Sequence, residues 1–456
     1  MLLMAATAIG TSYQCKPPAP KDTGFTFTIE ADNSFTNLPA LQSFSFGEHN
    51  GNWLMFGGRT NGFHGFNANQ NFPYKMANKY IYAYNTTTHQ LDSMSTDVLW
   101  ADLRNQFTAT NMACRQVDSF LYVCGGYGIS QTQPDSSTLT HPIMSRIHVP
   151  NMIAAVQNHD SAALRKSVVY FVNELVATTG GELYKLADSN FYLCVGHNFT
   201  GAYSDTNAVQ KYIDEVRVFK LVETDSSITM QLPLTAIIND GLPDSATQFH
   251  RRDLVVAPNV GQGGNSYGIS IYGGVFTYSP GCPSCPSNTG GNPFRNPIYI
   301  TGGANRGYTL DNSYRQMSNI YSAANLQMYD SVNDLMYTTI FGGIGDTSVP
   351  GGDSATFTQQ VLTVKRTNAT GATTGMYNTN NLPGYAGSEA LFIRAQAAQL
   401  YNSNPHGIID YNKLPAGATV VGYIYGGILS NGPESDPSAN PTLASGTVYK
   451  VTINKN

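Results

Sequence analysis

The side chains in this sequence with the means to do chemistry are few, and their company argues for recognition. Rings and guanidinium groups gather in polar stretches: Arg59, Phe63, His64, Phe66 and Tyr74; Tyr127; His197 and Tyr203; Phe276 and Tyr278, all interspersed with Asn, Gly and Ser. Flat rings beside amides suit a sugar, whose apolar C–H face lies on a ring while its hydroxyls bond amides and Arg. The plainer reading is that many of these rings only pin their loops to the body of the protein. Two more clusters, Trp100 with Asp102 and Arg104, and His250-Arg251-Arg252-Asp253, add guanidinium groups. Such groups clamp a carboxylate, as on a sialic or uronic acid, or else form internal ion pairs.

Catalytic patterns are missing. The nine histidines form neither HxH nor HExxH, and there is no GxSxG, Walker loop or dinucleotide fingerprint after a strand. No metal or cofactor is implied. With 25 basic and 30 acidic residues the net charge is −5, and no basic run exists to neutralise phosphates, which excludes a nucleic-acid partner. Only 12% of residues are charged, against about one-quarter in an ordinary soluble protein, so Asn, Thr, Ser and Gln must carry the surface.

The cysteines divide by setting. Gly281-Cys-Pro-Ser-Cys-Pro286 is a CxxC between glycine- and proline-rich stretches. A zinc site needs two more ligands at short spacing, and a thioredoxin-type site needs a strand before and a helix after. Cys282 and Cys285 are therefore expected to close a local disulfide, whereas Cys114, Cys124 and Cys194 sit in apolar runs and read as small buried hydrophobes. Residues 1–14 are apolar, too short to span a bilayer, and followed by Cys15 and a Pro-rich linker to residue 23. This start resembles the signal of a bacterial lipoprotein, which implies export, acylation of Cys15 and a membrane contact made only through that anchor. Secretion without a lipid is the alternative.

The elements that must position these groups announce themselves by repetition. A short apolar run ends in a glycine pair at Trp53–Gly58, Leu121–Gly126, Ile269–Gly274, Tyr337–Gly343 and Gly422–Gly427, and Phe191–Gly196 aligns with Val195 replacing the first glycine. The second glycines fall at 58, 126, 196, 274, 343 and 427, intervals of 68, 70, 78, 69 and 84. Another strand-like stretch precedes each run, such as 107–115 or 388–396, and a third follows a long polar segment, such as 79–84, 215–221, 360–364 or 447–453. A weaker fourth follows in some copies, such as 226–232. Antiparallel units of this kind cover their faces when six pack around an axis, which predicts an all-β, six-bladed β-propeller over residues 24–456. At these residues the chain resembles the kelch-repeat family of β-propellers. That resemblance implies the fold and is nearly silent on function; the family includes copper oxidases and sugar-acid isomerases, but neither set of functional residues can be placed here.

The last repeat lacks a fourth strand, and Phe25-Thr-Phe-Thr-Ile-Glu30 alternates without a break, so this N-terminal strand is expected to complete blade six and close the ring. Residues 160–175 fit two patterns: a helix capped by Asp160 with Leu164, Val168, Phe171 and Leu175 on one face, lying between blades two and three, or a strand from Val168 to Val172. The segments after the glycines, 59–78, 127–142, 197–212, 275–296, 344–357 and 428–445, are long loops on one face. They point to a non-enzymatic envelope protein that binds a glycan or a protein partner. The alternatives are a structural subunit of an outer-membrane assembly and an enzyme acting on sugars.

Overall fold

The computed structural model describes residues 24–65, 71–131, 137–278, 292–345, 356–434 and 441–456. Apolar residues at alternate positions, punctuated by polar turns, pair into antiparallel strands almost throughout. Six sheets, each built on four antiparallel strands, follow one another along the chain. The first is Ser45–His49, Asn52–Phe56, Tyr80–Asn85 and Leu91–Ser95; the second is Ala113–Val117, Phe120–Cys124, Ile143–His148 and Val168–Val172. The third is Glu182–Lys185, Phe191–Cys194, Val216–Phe219 and Ala236–Ile238, and the fourth is Val255–Val260, Tyr267–Tyr272, Ile298–Thr301 and Gly307–Leu310. The fifth is Asn325–Asp330, Leu335–Phe341, Val361–Thr367 and Ala372–Tyr377, extended in parallel by Ile409–Asp410.

The sixth sheet joins the two ends of the sequence. Tyr385–Arg394, Gly417–Ser430 and Val448–Lys455 are followed in space by Phe25–Ala31, whose Phe25 lies opposite Lys455 and Ala31 opposite Tyr449. Phe25, Phe27 and Ile29 are buried while Thr28 and Glu30 are exposed, as the alternation requires. This strand stands where the sequence placed it.

Equivalent hydrogen bonds link each sheet to the next and the last to the first. The N–H of the second glycine donates to the stretch leading into the following sheet: Gly58 to Ala109 O, Gly126 to Thr178 O, Gly196 to Arg251 O, Gly274 to Ile320 O, Gly343 to Ala386 O and Gly427 to Leu41 O, at 2.7–3.0 Å. The same close approach explains the first glycine of each pair. A Cβ on Gly125 would stand 1.9 Å from Thr178 O, and one on Gly342 2.1 Å from Ala386 O, both at positive φ. Val195, at the same place in the third repeat, takes φ +50° without being glycine. Apolar clusters follow the same circuit. Leu54, Phe56, Leu121 and Val123 join the first and second sheets, Tyr122, Cys124, Leu193 and Phe219 the second and third, and Val216, Val218, Ile269 and Ile271 the third and fourth. Tyr272, Tyr299, Ile340 and Leu362 join the fourth and fifth, Phe27, Phe341 and Val451 the fifth and sixth, and Tyr425, Trp53 and Tyr84 the sixth and first.

Several elements differ from expectation. Phe107 ends helix α1 (Ala101–Phe107) instead of starting a strand. Asp160 does cap a helix, accepting from the N–H groups of Ala162 and Ala163, but α3 (Ser161–Lys166) stops after two turns because the β-branched run from Val168 pairs with Ile143–His148. With α2 (Val149–Gln157), which the sequence reading missed, it packs between the first and second sheets and not between the second and third. The 226–232 strand, Ser227–Met230, pairs with Leu221–Thr224 in a separate hairpin, and Ala236–Ile238 takes the fourth place in its sheet. Two of the supposed loops hold strands: Tyr127–Ile129, Thr138–Thr140, His197–Thr200 and Val209–Tyr212 form a further four-stranded sheet. Cys124 and Cys194 are buried free thiols, and Cys114 is half-buried. No helix among the described residues is long and apolar enough to cross a membrane. Cys15, Cys282 and Cys285 lie outside the described residues.

Candidate functional site

Residues at or just before the first strand of each sheet meet through backbone hydrogen bonds. Asn111 N–H donates to Ser43 O, Gly180 N–H to Asn111 O, Asp253 N–H to Gly180 O, Glu389 N–H to Ser322 O and Ser43 N–H to Glu389 O, at 2.8–3.3 Å. Five of the six (Ser43, Asn111, Gly180, Asp253 and Glu389) hold positive φ, between +49° and +63°. A left-handed backbone at non-glycine residues costs energy and is found where the surroundings enforce it. Here the bond to the preceding repeat enforces it, and the side chains are turned toward shared cavities.

A cavity of about 130 Å³ lies over this neck, where the segments after the glycines gather. Of the residues singled out in the sequence, Phe63, His64, Tyr127, His197, Tyr203 and Phe276 come together in its lining. His64, Phe72 and Tyr203 cluster, with His64 4.6 Å from Phe72 and 4.8 Å from Tyr203 and those two rings 5.7 Å apart, and Tyr203 sits 4.7 Å from Phe199. Burial holds the His64 imidazole down to about 4 and lowers that of His197 well below its ordinary value, so both are neutral at pH 7. His197 Nδ1 is 2.5 Å from the amide of Gln210.

The polar side of the cavity is charged yet balanced. Arg252 is ion-paired with its neighbour Asp253, and its Nε donates to the Tyr212 hydroxyl at 3.1 Å. Burial pushes the Glu389 carboxyl up to about 8, helped by the charge of Asp253 and opposed by the Ser43 hydroxyl, which donates to it at 2.8 Å. The site therefore holds one guanidinium and two carboxyls, and burial raises the pKa of both Asp253, opposed by Arg252, and Glu389. Gln42, Asn111, Thr110 and Thr179 add neutral donors and acceptors.

The other proposed residues lie elsewhere. Arg59 braces the wall from behind, donating to Asn61 Oδ1 at 3.0 Å and lying 4.9 Å over Phe72. Arg251 is fully buried and donates to the carbonyls of Gln248, Gly273 and Asn296, so it holds backbone together and is outside the cavity lining. Tyr74 and Arg104 meet through Gln131 away from the cavity, and Trp100 is half-exposed ahead of α1. Tyr278 is outside the lining, and Phe66 is outside the described residues. The guanidinium cluster imagined for an acidic sugar is thus reduced to one arginine, already neutralised. Sequence reasoning missed Glu389, Ser43, Gln42 and Tyr321. The signal available was a polar residue followed by an apolar one at repeat spacing, as in Ser43-Phe44, Asn111-Met112, Asp253-Leu254 and Glu389-Ala390.

The cavity continues inward. Ser43, Asn111 and Glu389 are shared with a second cavity of about 160 Å³, which in turn shares Glu182, Val256, Asn325, Ala390 and Leu391 with a third. Successive residues of the first strands line successive cavities, so the three lie end to end along those strands.

No protein-family model matches this chain, and no curated protein does. Among solved structures, that of YjhT is similar at a TM-score of 0.48 and 10% identity, over 90% of this chain and 96% of that one. A likeness at that level carries no argument here.

Proposed function

We propose that the chain is a kelch-type six-bladed β-propeller, with the N-terminal strand completing the sixth blade, that binds one neutral sugar ring of a glycan in the aromatic cavity. The circuit of equivalent glycine hydrogen bonds supports the propeller reading. One observation carries the ligand: His64, Phe72, Tyr203 and Phe199 make an aromatic wall facing an Arg252–Asp253 pair whose charges cancel. An acidic sugar would find no free cation there, whereas hydroxyls would find donors and acceptors in Gln42, Asn111, Arg252, Asp253 and Glu389. Export through residues 1–14, with Cys15 acylated, is part of the same proposal and would place the cavity outside the cell.

A glycan array followed by calorimetry on the full chain tests the reading. Saturable binding of a neutral terminal sugar is expected, weakened about tenfold or more in Tyr203→Ala measured below its melt, which should remain a single cooperative transition. An array bound only through sialylated or uronic glycans, or not at all, would overturn it. The Glu389 carboxyl, raised to about 8 beside the Arg252–Asp253 pair, favours one second reading, proton transfer on the bound sugar. Accelerated mutarotation, lost in Glu389→Gln, would establish that reading.

A further inference from the structure

The third cavity, about 370 Å³, opens at the far ends of the same first strands, away from the aromatic wall. Two guanidinium groups face it from different sheets, Arg115 from the second and Arg394 from the sixth. Each is held by contacts that occupy one nitrogen of its fork. Arg115 Nη2 donates to Pro405 O at 3.2 Å and the group lies 4.7 Å over the Tyr184 ring, while Arg394 Nη1 donates to Ala395 O and Ala398 O at 2.9 and 2.5 Å. Neither has an ion-pair partner within 4.0 Å among the described residues. An arginine has five N–H donors, so each fork keeps donors for a ligand.

A third group points the same way. His406, in the segment after the first strand of the sixth sheet, is 4% exposed and lines this cavity, and its Nε2 has no hydrogen-bond partner among the described residues. A buried polar atom left unmade costs free energy that a ligand atom recovers. The one carboxyl on the wall is Glu182, whose pKa burial pushes up to about 8 against the pull of Arg115. At neutral pH it is protonated and does not cancel the two arginines. Glu48, outside the lining, is the acidic neighbour of Arg394.

We propose that this cavity binds a small molecule through a carboxylate or phosphate group held by Arg115, Arg394 and His406. An oxyanion is the ligand whose geometry matches paired forks and whose charge relieves two guanidinium groups confined in one space. The site is separate from the aromatic cavity, so it stands whether or not a sugar binds there.

The test is calorimetric titration of the full chain at pH 7 and constant ionic strength, with succinate in one series and inorganic phosphate in another. Saturable one-to-one binding of at least one anion is expected, and the two series decide which chemistry the cavity takes. Arg115→Gln and Arg394→Gln should each weaken it about tenfold or more, with Trp100→Ala unchanged. Because Arg115 also packs on Tyr184, the melt of each variant is recorded. Where a Gln variant does not fold, Arg394→Lys and His406→Asn take its place, and loss of paired hydrogen bonding should still weaken binding. No saturable heat with either anion, or binding that survives every folded variant, would overturn the proposal.

Discussion

At the scale of single residues, two buried carboxyls in the cavity walls shape how the protein responds to pH. Glu389 and Glu182 are both pushed from about 4.5 up to about 8, chiefly by burial. Between those values the folded chain keeps a proton on each that the unfolded chain has released. Stability therefore falls as pH rises through that window and levels off above it. Glu389→Gln removes one of these titrations. It should melt higher than the parent at about pH 8.5 and equal to it near pH 4.5, read by scanning fluorimetry. A constant gap at both pH values would show that Glu389 is not held protonated. His64, His141 and His406, each held near 4 by burial, act with the opposite sign, losing stability as pH drops below about 6.5. They act equally on parent and variant, so the difference still isolates the carboxyl.

At the scale of elements, Phe25–Ala31 carries more than its length suggests. Phe27 is 1% exposed, with its ring 5.5 Å from Phe25 and 5.6 Å from Phe341, and its backbone N–H and C=O are both met by the Asn378 side chain of the fifth sheet's last turn. Phe27→Ala should cost about 3–5 kcal/mol, measured by denaturant unfolding. Deleting residues 22–32 should abolish the single cooperative melt, and an unchanged melting curve would mean that the sixth sheet stands without this strand. The strand was legible because strict alternation needs no partner to be recognised. Helix α3 was half legible: the Asp160 cap is local, but where the helix yields to a strand depends on pairing with Ile143–His148. The four-stranded sheet built from Tyr127–Ile129, Thr138–Thr140, His197–Thr200 and Val209–Tyr212 was not legible, since it pairs segments from two different repeats.

At the scale of the molecule, the circuit of sheets brings Gly24 and Asn456 together, with Asn456 N–H donating to Gly24 O at 2.9 Å. If the ring and not the chain order sets the fold, the opening point can be moved. A circular permutant joining Asn456 to Gly24 by a short glycine linker, and opened in the exposed 242–245 segment, should fold with unchanged strand content and one cooperative transition. Its melt should come lower than the parent's, because no strand shared between the two ends then ties the third sheet to the fourth. Circular dichroism and calorimetry read both, and a permutant that fails to fold would show that chain order is indispensable.

What the sequence alone determined was whatever repeats locally: an all-β chain, glycine-ended strands at intervals near seventy residues, and a first strand whose faces sort by alternation. Those signals survive because each rests on backbone geometry or on neighbours a few residues away. Which side chains meet was decided only by tertiary structure. Ser43, Asp253 and Glu389 come from three repeats and share one cavity wall only through the packing of the sheets, and Arg251 and Arg252, neighbours in sequence, part company because one turns into backbone carbonyls and the other toward the cavity. The direction of a side chain and the company it keeps across hundreds of residues are properties of packing, which no local pattern records.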